Sequence, residues 1–239
     1  MSSPIYSVGD IHGQIDMLHG AIERIEQDGG KNAEIVFLGD LVDRGPDSKA
    51  VIALLMDGQA AGRNWTVLKG NHDRFFHLFY DTGALNDGVL RPDIDWLHQR
   101  MGGAETLAAY GITASSANPN HAETRALIPQ SHVDFMRNLP LTHPHGDLLF
   151  VHAGIKPGVP LDQQIEDDLI WIRGPFLDYE KPHPWLVVHG HTALDEPQHF
   201  GNRIDLDSGA GYGRPITSVV FEGRDCYVLT GTGRRALTP

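Results

Sequence analysis

Short apolar runs alternate with helical periodicities along the first third of the chain. Ile5-Tyr6-Ser7-Val8 reads as a strand and runs into Gly9-Asp10. Ile15, Leu18, Ile22 and Ile25 then recur at three- and four-residue spacing, which predicts an amphipathic helix over about residues 14–27, stopped by Gly29-Gly30. Ile35-Val36-Phe37-Leu38 predicts a second strand, running into Gly39-Asp40. Val51, Ile52, Leu54 and Leu55 form the apolar part of a second helix, with Asp47 or Ser48 as its N-cap. Trp65-Thr66-Val67-Leu68 predicts a third strand, running into Gly70-Asn71-His72. A strand–helix–strand–helix–strand order favours parallel strands joined by helical crossovers.

From about residue 82 to 140 the pattern loosens. Trp96, Leu97, Met101 and Leu107 suggest short helices on either side of Gly102-Gly103, and Phe135, Met136 and Leu139 suggest another. The expectation here is a helical insertion over one face. Strands return at residues 148–151, 186–188, 204–206, 219–221 and 227–229, the last two forming a hairpin across Glu222-Gly223-Arg224-Asp225. With no repeat, low-complexity tract or linker, residues 1–239 are expected to form a single α/β domain.

Charge and composition narrow the function. Nineteen basic residues stand against 31 acidic ones, a net charge of -12, which argues against a nucleic-acid partner held by phosphate contacts. No apolar stretch approaches the roughly 20 residues of a membrane span, so no membrane partner is expected either. Met1-Ser2-Ser3-Pro4 lacks a basic region followed by a long apolar run, and Cys226 is the only cysteine. A disulfide framework is thereby excluded, and a reducing, cytoplasmic location is expected. Acidity also suits a chain whose carboxylates hold metal ions.

The candidate chemistry sits directly after the strands. Gly9-Asp10-Ile11-His12-Gly13 follows the first, Gly39-Asp40-Leu41-Val42-Asp43-Arg44-Gly45 the second, and Gly70-Asn71-His72-Asp73 the third. His152-Ala153-Gly154 and His189-Gly190-His191-Thr192 follow two later strands. Any one of these pieces alone reads as a turn. Five of them at strand ends deliver Asp, Asn and His side chains to the edge where open α/β sheets bind ligands. Oxygen and imidazole donors without thiolate suit divalent manganese, iron or zinc. Two such ions about 3.5–4 Å apart need a bridging carboxylate and clamp a phosphoryl oxygen from both sides.

This set of motifs resembles the signature of the phosphoprotein phosphatases, a branch of the calcineurin-like metallophosphoesterases: GD-x-HG, GD-x-x-DRG, GNH followed by an acid, and two later histidines. Val151-His152-Ala153-Gly154-Ile155 and Val188-His189-Gly190-His191-Thr192 look most like the short bacterial members. The resemblance implies a metallophosphoesterase fold of two packed mixed β-sheets flanked by helices, with a dinuclear site at the strand C-terminal ends. It implies two divalent ions, manganese first, with iron or zinc as alternatives. Asp10 and His12 would bind the first ion, Asp40 would bridge, and Asn71, His152 and His191 would complete the second, leaving His189 outside the ligand set. A hydroxide between the ions would be the nucleophile. His72 would protonate the leaving oxygen, and Asp43 would orient the His72 ring and favour its charged form. Arg44 would grip the phosphate, with Arg173 as a second, looser match.

Two positions depart from the family pattern: Lys69 stands where arginine is usual, and Asp73 where glutamate is usual. Gly-Asn-His-Asp, as at Gly70–Asp73, also occurs in symmetric diadenosine tetraphosphate hydrolases, a sister group that usually has Leu before it, but those usually lose the acid at the position of Asp43. The expected activity is therefore a protein serine/threonine phosphatase acting on phosphoproteins or phosphopeptides, with phosphotyrosine open. The symmetric tetraphosphate hydrolase is the alternative. A non-catalytic scaffold would require lost ligands, and none is lost.

Overall fold

The computed structural model describes residues 3–239; Met1 and Ser2, which begin the segment read as lacking a signal, lie outside the described residues. The first half runs β1 (Ile5–Val8), α1 (Ile15–Gly29), β2 (Glu34–Phe37), α2 (Ser48–Ala60), β3 (Trp65–Val67) and α3 (Asn71–Thr82). Three helices follow: α4 (Gly103–Ala109), α5 (His121–Leu127) and α6 (Gln130–Arg137). Then come β4 (Thr142–His145), β5 (Leu148–Val151), α7 (Glu166–Trp171), α8 (Gly174–Leu177), β6 (Leu186–His189), β7 (Gln198–His199) and β8 (Arg203–Asp205). The chain closes with β9 (Ser218–Glu222), β10 (Asp225–Thr230) and β11 (Gly233–Leu237).

Two sheets result, in the orders β11-β10-β9-β1-β2-β3 and β4-β5-β6-β8-β7. Both are mixed. β1, β2 and β3 are parallel in the first, and β5, β6 and β8 are parallel in the second, with antiparallel strands outside them. Strand periodicity explains the packing, because alternate side chains face opposite ways. Val36 and Leu38, with Phe150 and Val188 from the second sheet, fill the space between the sheets. Ile35 and Phe37 face the other way, into the helical layer containing α1 and α2. Leu149, Val151 and Val187 likewise face α7 and α8. The layer order is thus helices, sheet, sheet, helices. Strands buried on both faces read as continuous apolar runs, which is why β1, β2, β5 and β6 were visible in the sequence.

Two local expectations differ from the structure. The helix expected around Trp96 and Leu97 does not form; those residues lie in turns, though both are buried. Conversely, α3 starts directly at Asn71, where only a turn was expected. Its aromatic residues Phe75, Phe76, Phe79 and Tyr80 are buried at helical spacing, and Gly83 ends it in a left-handed conformation. Among the described residues, no helix is long and apolar enough to cross a membrane.

Candidate active site

Because β1, β2 and β3 run parallel, Asp10, Asp40 and Asn71 leave the first sheet at one edge; β5 and β6 bring His152 and His191 to the corresponding edge of the second. All five residues are buried, together with His12, Asp43 and His72. Six non-glycine residues adopt positive φ among the described residues, and five of them are His12, Asp40, Asp43, Arg44 and His191. Such conformations cost on the order of 1–3 kcal/mol each and persist where surrounding structure enforces them, typically at functional sites. Glycines supply the remaining space. A Cβ on Gly70 would overlap the Asp40 carboxylate, and one on Gly190 would overlap that of Asp10.

Asp40 lies at the centre. Its Oδ2 faces His12 Nε2 at 3.7 Å and His72 Nε2 at 4.0 Å, while its Oδ1 faces His152 Nε2 at 3.4 Å. Two groups with metal-compatible spacing therefore share this carboxylate: His12, Asp40 and His72 on one side, Asp40, His152 and His191 on the other. Burial opposes charge on Asp40, but the surrounding His152, His72, His12 and His191 overcome it and hold the carboxyl below its ordinary range. Asp10 stands beside these groups, its carboxylate accepting the His191 main-chain N–H at 3.2 Å. Burial, then Asp207 and Asp40, push the Asp10 carboxyl well above its usual value.

The donor chemistry fits divalent ions. His152 donates from Nδ1 to the Leu38 carbonyl oxygen at 2.9 Å, and burial keeps the ring neutral. Its Nε2 lone pair therefore points at two other acceptors, Asn71 Oδ1 at 3.1 Å and Asp40 Oδ1 at 3.4 Å. Three converging acceptors are compatible with a cation between them and unfavourable without one. His12 likewise donates from Nδ1 to Val42 O at 2.9 Å, leaving Nε2 turned into the site. His191 Nε2 is buried without a hydrogen-bond partner among the described residues. Burial also lowers His12 and His191, so both imidazoles are neutral, the form that binds metal.

His72 and Asp43 form a tight pair. His72 Nδ1 lies 2.6 Å from Asp43 Oδ2. The same oxygen accepts from Trp96 Nε1 at 2.8 Å, and Oδ1 accepts from Thr106 Oγ1 at 2.7 Å. Thr106 Oγ1 in turn accepts the Asp43 main-chain N–H at 2.8 Å. The sequence reading gave Trp96 only a place in a helical pattern and passed over Thr106: neither lies in a motif, and each reaches Asp43 only through folding of the segment after α3. Asp73 ties two motif loops together, accepting Leu41 N–H and Gly70 N–H at 2.8 Å each. Burial, then Asp40, raises its carboxyl to about 8.

Arg44 reaches His12 Nε2 at 2.8 Å and His72 Nε2 at 3.1 Å, placing its guanidinium over the donor groups. Arg173 is exposed but lines the same cavity, of about 700 Å³. Arg91, Arg100 and Arg214 line it too, and the half-open mouth carries Tyr212, 66% exposed. No motif pointed to these last four residues. Lys69 does not reach the cavity; it pairs with Glu166 at 3.7 Å. His189 is also apart from the donors, its Nε2 3.2 Å from Arg203, with burial pushing it down to about 3.

The family model described as calcineurin-like phosphoesterase matches residues 3–214. An asymmetrical bis(5'-nucleosyl)-tetraphosphatase PrpE of Bacillus thuringiensis (strain Al Hakam) is 22% identical over 238 residues, covering 90% of this chain and 89% of that one. A solved chain provisionally described as a diadenosine tetraphosphatase superposes with a TM-score of 0.68 at 22% identity, covering 100% of this chain and 95% of that one. A cold-active protein-tyrosine phosphatase of a Shewanella species gives 0.65 at 17% identity, covering 100% and 81%. The two structural likenesses show the shared fold.

Proposed function

The chain belongs to the calcineurin-like phosphoesterases, and from that premise we propose that this metal-dependent phosphoesterase hydrolyses nucleoside polyphosphates of the dinucleoside tetraphosphate class. The observation that carries this reading is the distribution of charge. In a chain of net charge -12, five of the 14 arginines line one cavity: Arg44, Arg91, Arg100, Arg173 and Arg214. A single phosphoryl group over Asp40 needs two of them; a chain of phosphates occupies more. Arginine forks are suited to phosphate oxygens. Tyr212, flanked by Arg44 and Arg214 at 5.2 Å and 5.9 Å, offers an aromatic face to a base. The curated relative's name agrees with this reading. Its asymmetrical designation also favours cleavage away from the middle of the phosphate chain, in place of the symmetric cleavage that the motifs suggested.

Asp10, His12, Asp40, Asn71, His152 and His191 would hold two divalent ions, with Asp40 between them; manganese is our choice of metal. Such ions supply positive charge to the phosphoryl oxygens and lower the pKa of a coordinated water. The chain's own residues do the rest. Arg44 and Arg173 hold non-bridging oxygens. His72 donates a proton from Nε2 to the leaving oxygen, and Asp43 keeps Nδ1 protonated and the ring in place. Arg91, Arg100 and Arg214 align the remainder of the polyphosphate.

A second reading, a phosphoserine or phosphothreonine phosphatase, is favoured by the His72–Asp43 pair at 2.6 Å, because an alkoxide leaving group needs a proton far more than a nucleotide does. Arg100→Ala separates the two. On the polyphosphate reading, it raises KM for diadenosine tetraphosphate about tenfold or more, by loss of a charge-assisted contact, and leaves a nitrophenyl phosphate unaffected. Equal effects on both would remove the outer arginines from substrate binding.

A further inference from the structure

Far from the catalytic centre, the start of β2 meets the outer edge of the second sheet. β4 is an edge strand paired only with β5, and its residues Thr142-His143-Pro144-His145 end at the turn opposite the catalytic edge. Pro144 is tolerated there because an edge strand has an unpaired side. Residues two apart on a strand share a face, so His143 and His145 project together; their rings stack with centroids 6.3 Å apart and planes at 27°. Glu34, the first residue of β2, faces both. Its Oε1 lies 3.5 Å from His143 Nε2 and 3.6 Å from His145 Nδ1. Asp40 lies six positions beyond Glu34 along largely extended chain, so this cluster stands roughly 15–20 Å from the catalytic donors.

We propose that Glu34, His143 and His145 form a further divalent-cation site, of zinc type, that ties the two sheets together. The spacing is the first argument. Zinc binds imidazole and carboxylate at about 2.0–2.2 Å in a tetrahedron, whose edges are then about 3.3–3.5 Å. The two nitrogen–oxygen separations match those edges and exceed hydrogen-bond length. All three ligand atoms lie within 4.8 Å of one another. The second argument is an unused donor: His143 Nε2 is buried, has no hydrogen-bond partner among the described residues, and lies 3.5 Å from the Glu34 carboxylate. The third is the ligand set itself. Two imidazoles and one carboxylate form a known zinc-binding combination that leaves a fourth position to water. Side-chain exposures of 26–29% give the ion a route in from solvent. His143 also packs on Phe150, 6.1 Å between ring centroids, so the ion would close the end of the core between the sheets.

The test compares the manganese-loaded wild type with His143→Gln and His145→Gln variants, titrated with zinc. Zinc taken up at the catalytic centre is common to all and cancels in the difference. Wild type should bind one more zinc per chain than either variant. At a hundredfold excess over Kd, zinc should raise its Tm by about 5–10 °C more than theirs. Glu34→Gln should weaken the same site by at least the roughly 10–100-fold typical of losing even an outer metal partner. The variants should keep the wild-type Tm without zinc and the same hydrolysis rate. Equal zinc stoichiometry and equal thermal response in wild type and variants would overturn the proposal and leave the cluster as a histidine–glutamate ion pair.

Discussion

Asp43→Asn isolates the charge of one buried carboxylate from its shape. The wild-type side chain accepts from His72 Nδ1 at 2.6 Å and Trp96 Nε1 at 2.8 Å on one oxygen, and from Thr106 Oγ1 at 2.7 Å on the other. An asparagine placing its carbonyl oxygen towards His72 and Trp96 keeps both of those bonds. Its amide then faces Thr106 Oγ1, whose hydroxyl is free to turn towards Ser48 Oγ, 3.0 Å away. Every partner survives, and only the negative charge is lost. A charge-assisted hydrogen bond exceeds a neutral one by about 1–2 kcal/mol, or about 5–30-fold in rate if the difference is felt only in the transition state. The fold should lose about 1 kcal/mol or less, a Tm change of about 2–4 °C for a chain of this size. The assay is kcat/KM across aryl and alkyl phosphates of rising leaving-group basicity. A nitrophenyl phosphate should be nearly unaffected, and the loss should grow towards the alkyl end. A uniform loss across the series, or a Tm drop of more than about 10 °C, would refute the role of Asp43 in supporting proton donation by His72.

Asp40→Asn should lower bound metal and turnover more than Asp10→Asn, because its two oxygens face opposite donor groups; metal analysis showing full occupancy with normal turnover would contradict this. At a site remote from catalysis, the Asp28 carboxyl is held below its ordinary 3.8 by hydrogen bonds from Arg234, with Tyr6 also donating. A lowered folded-state value means stability that is present above the unfolded value and lost as pH falls through the folded one. Asp28→Asn should therefore reduce Tm at pH 7 and converge with wild type near pH 2; a difference independent of pH would show that the ion pair is not its source.

Legibility in the sequence followed how local the information was. β1, β2, β5 and β6 carry apolar runs buried on both faces, and the residues after them appear as contiguous motifs. The structure brings His12, His72 and His152 within 4.0 Å of Asp40, Asn71 within 3.1 Å of His152, and His191 beside His152. His72 Nε2 also stands 4.0 Å from Asp40, and Asp10 accepts the His191 main-chain N–H beside them. α3 was hidden because Gly70-Asn71-His72 reads as a turn until its aromatic spacing is followed further. The link of Trp96 and Thr106 to Asp43 is not legible, since their partner is more than 50 positions away in sequence. The arginines of the cavity wall were invisible for the same reason. Arg91 and Arg100 look like ordinary surface residues until the chain between α3 and α4 folds over the strand ends, and Arg214 until the chain between β8 and β9 does so. Substrate choice depends on such long-range convergence, which explains why the reaction class was clearer in the sequence than the substrate.

The most direct test is a single competition assay with product analysis. The manganese-loaded protein is given diadenosine tetraphosphate and phosphoserine, phosphothreonine and phosphotyrosine peptides, and kcat/KM is measured for each. We predict that the tetraphosphate is preferred and is released as unequal nucleotides, AMP and ATP. Preference for a phosphopeptide, with the tetraphosphate turned over slowly or not at all, would contradict the assignment of the arginine-lined cavity to a polyphosphate chain.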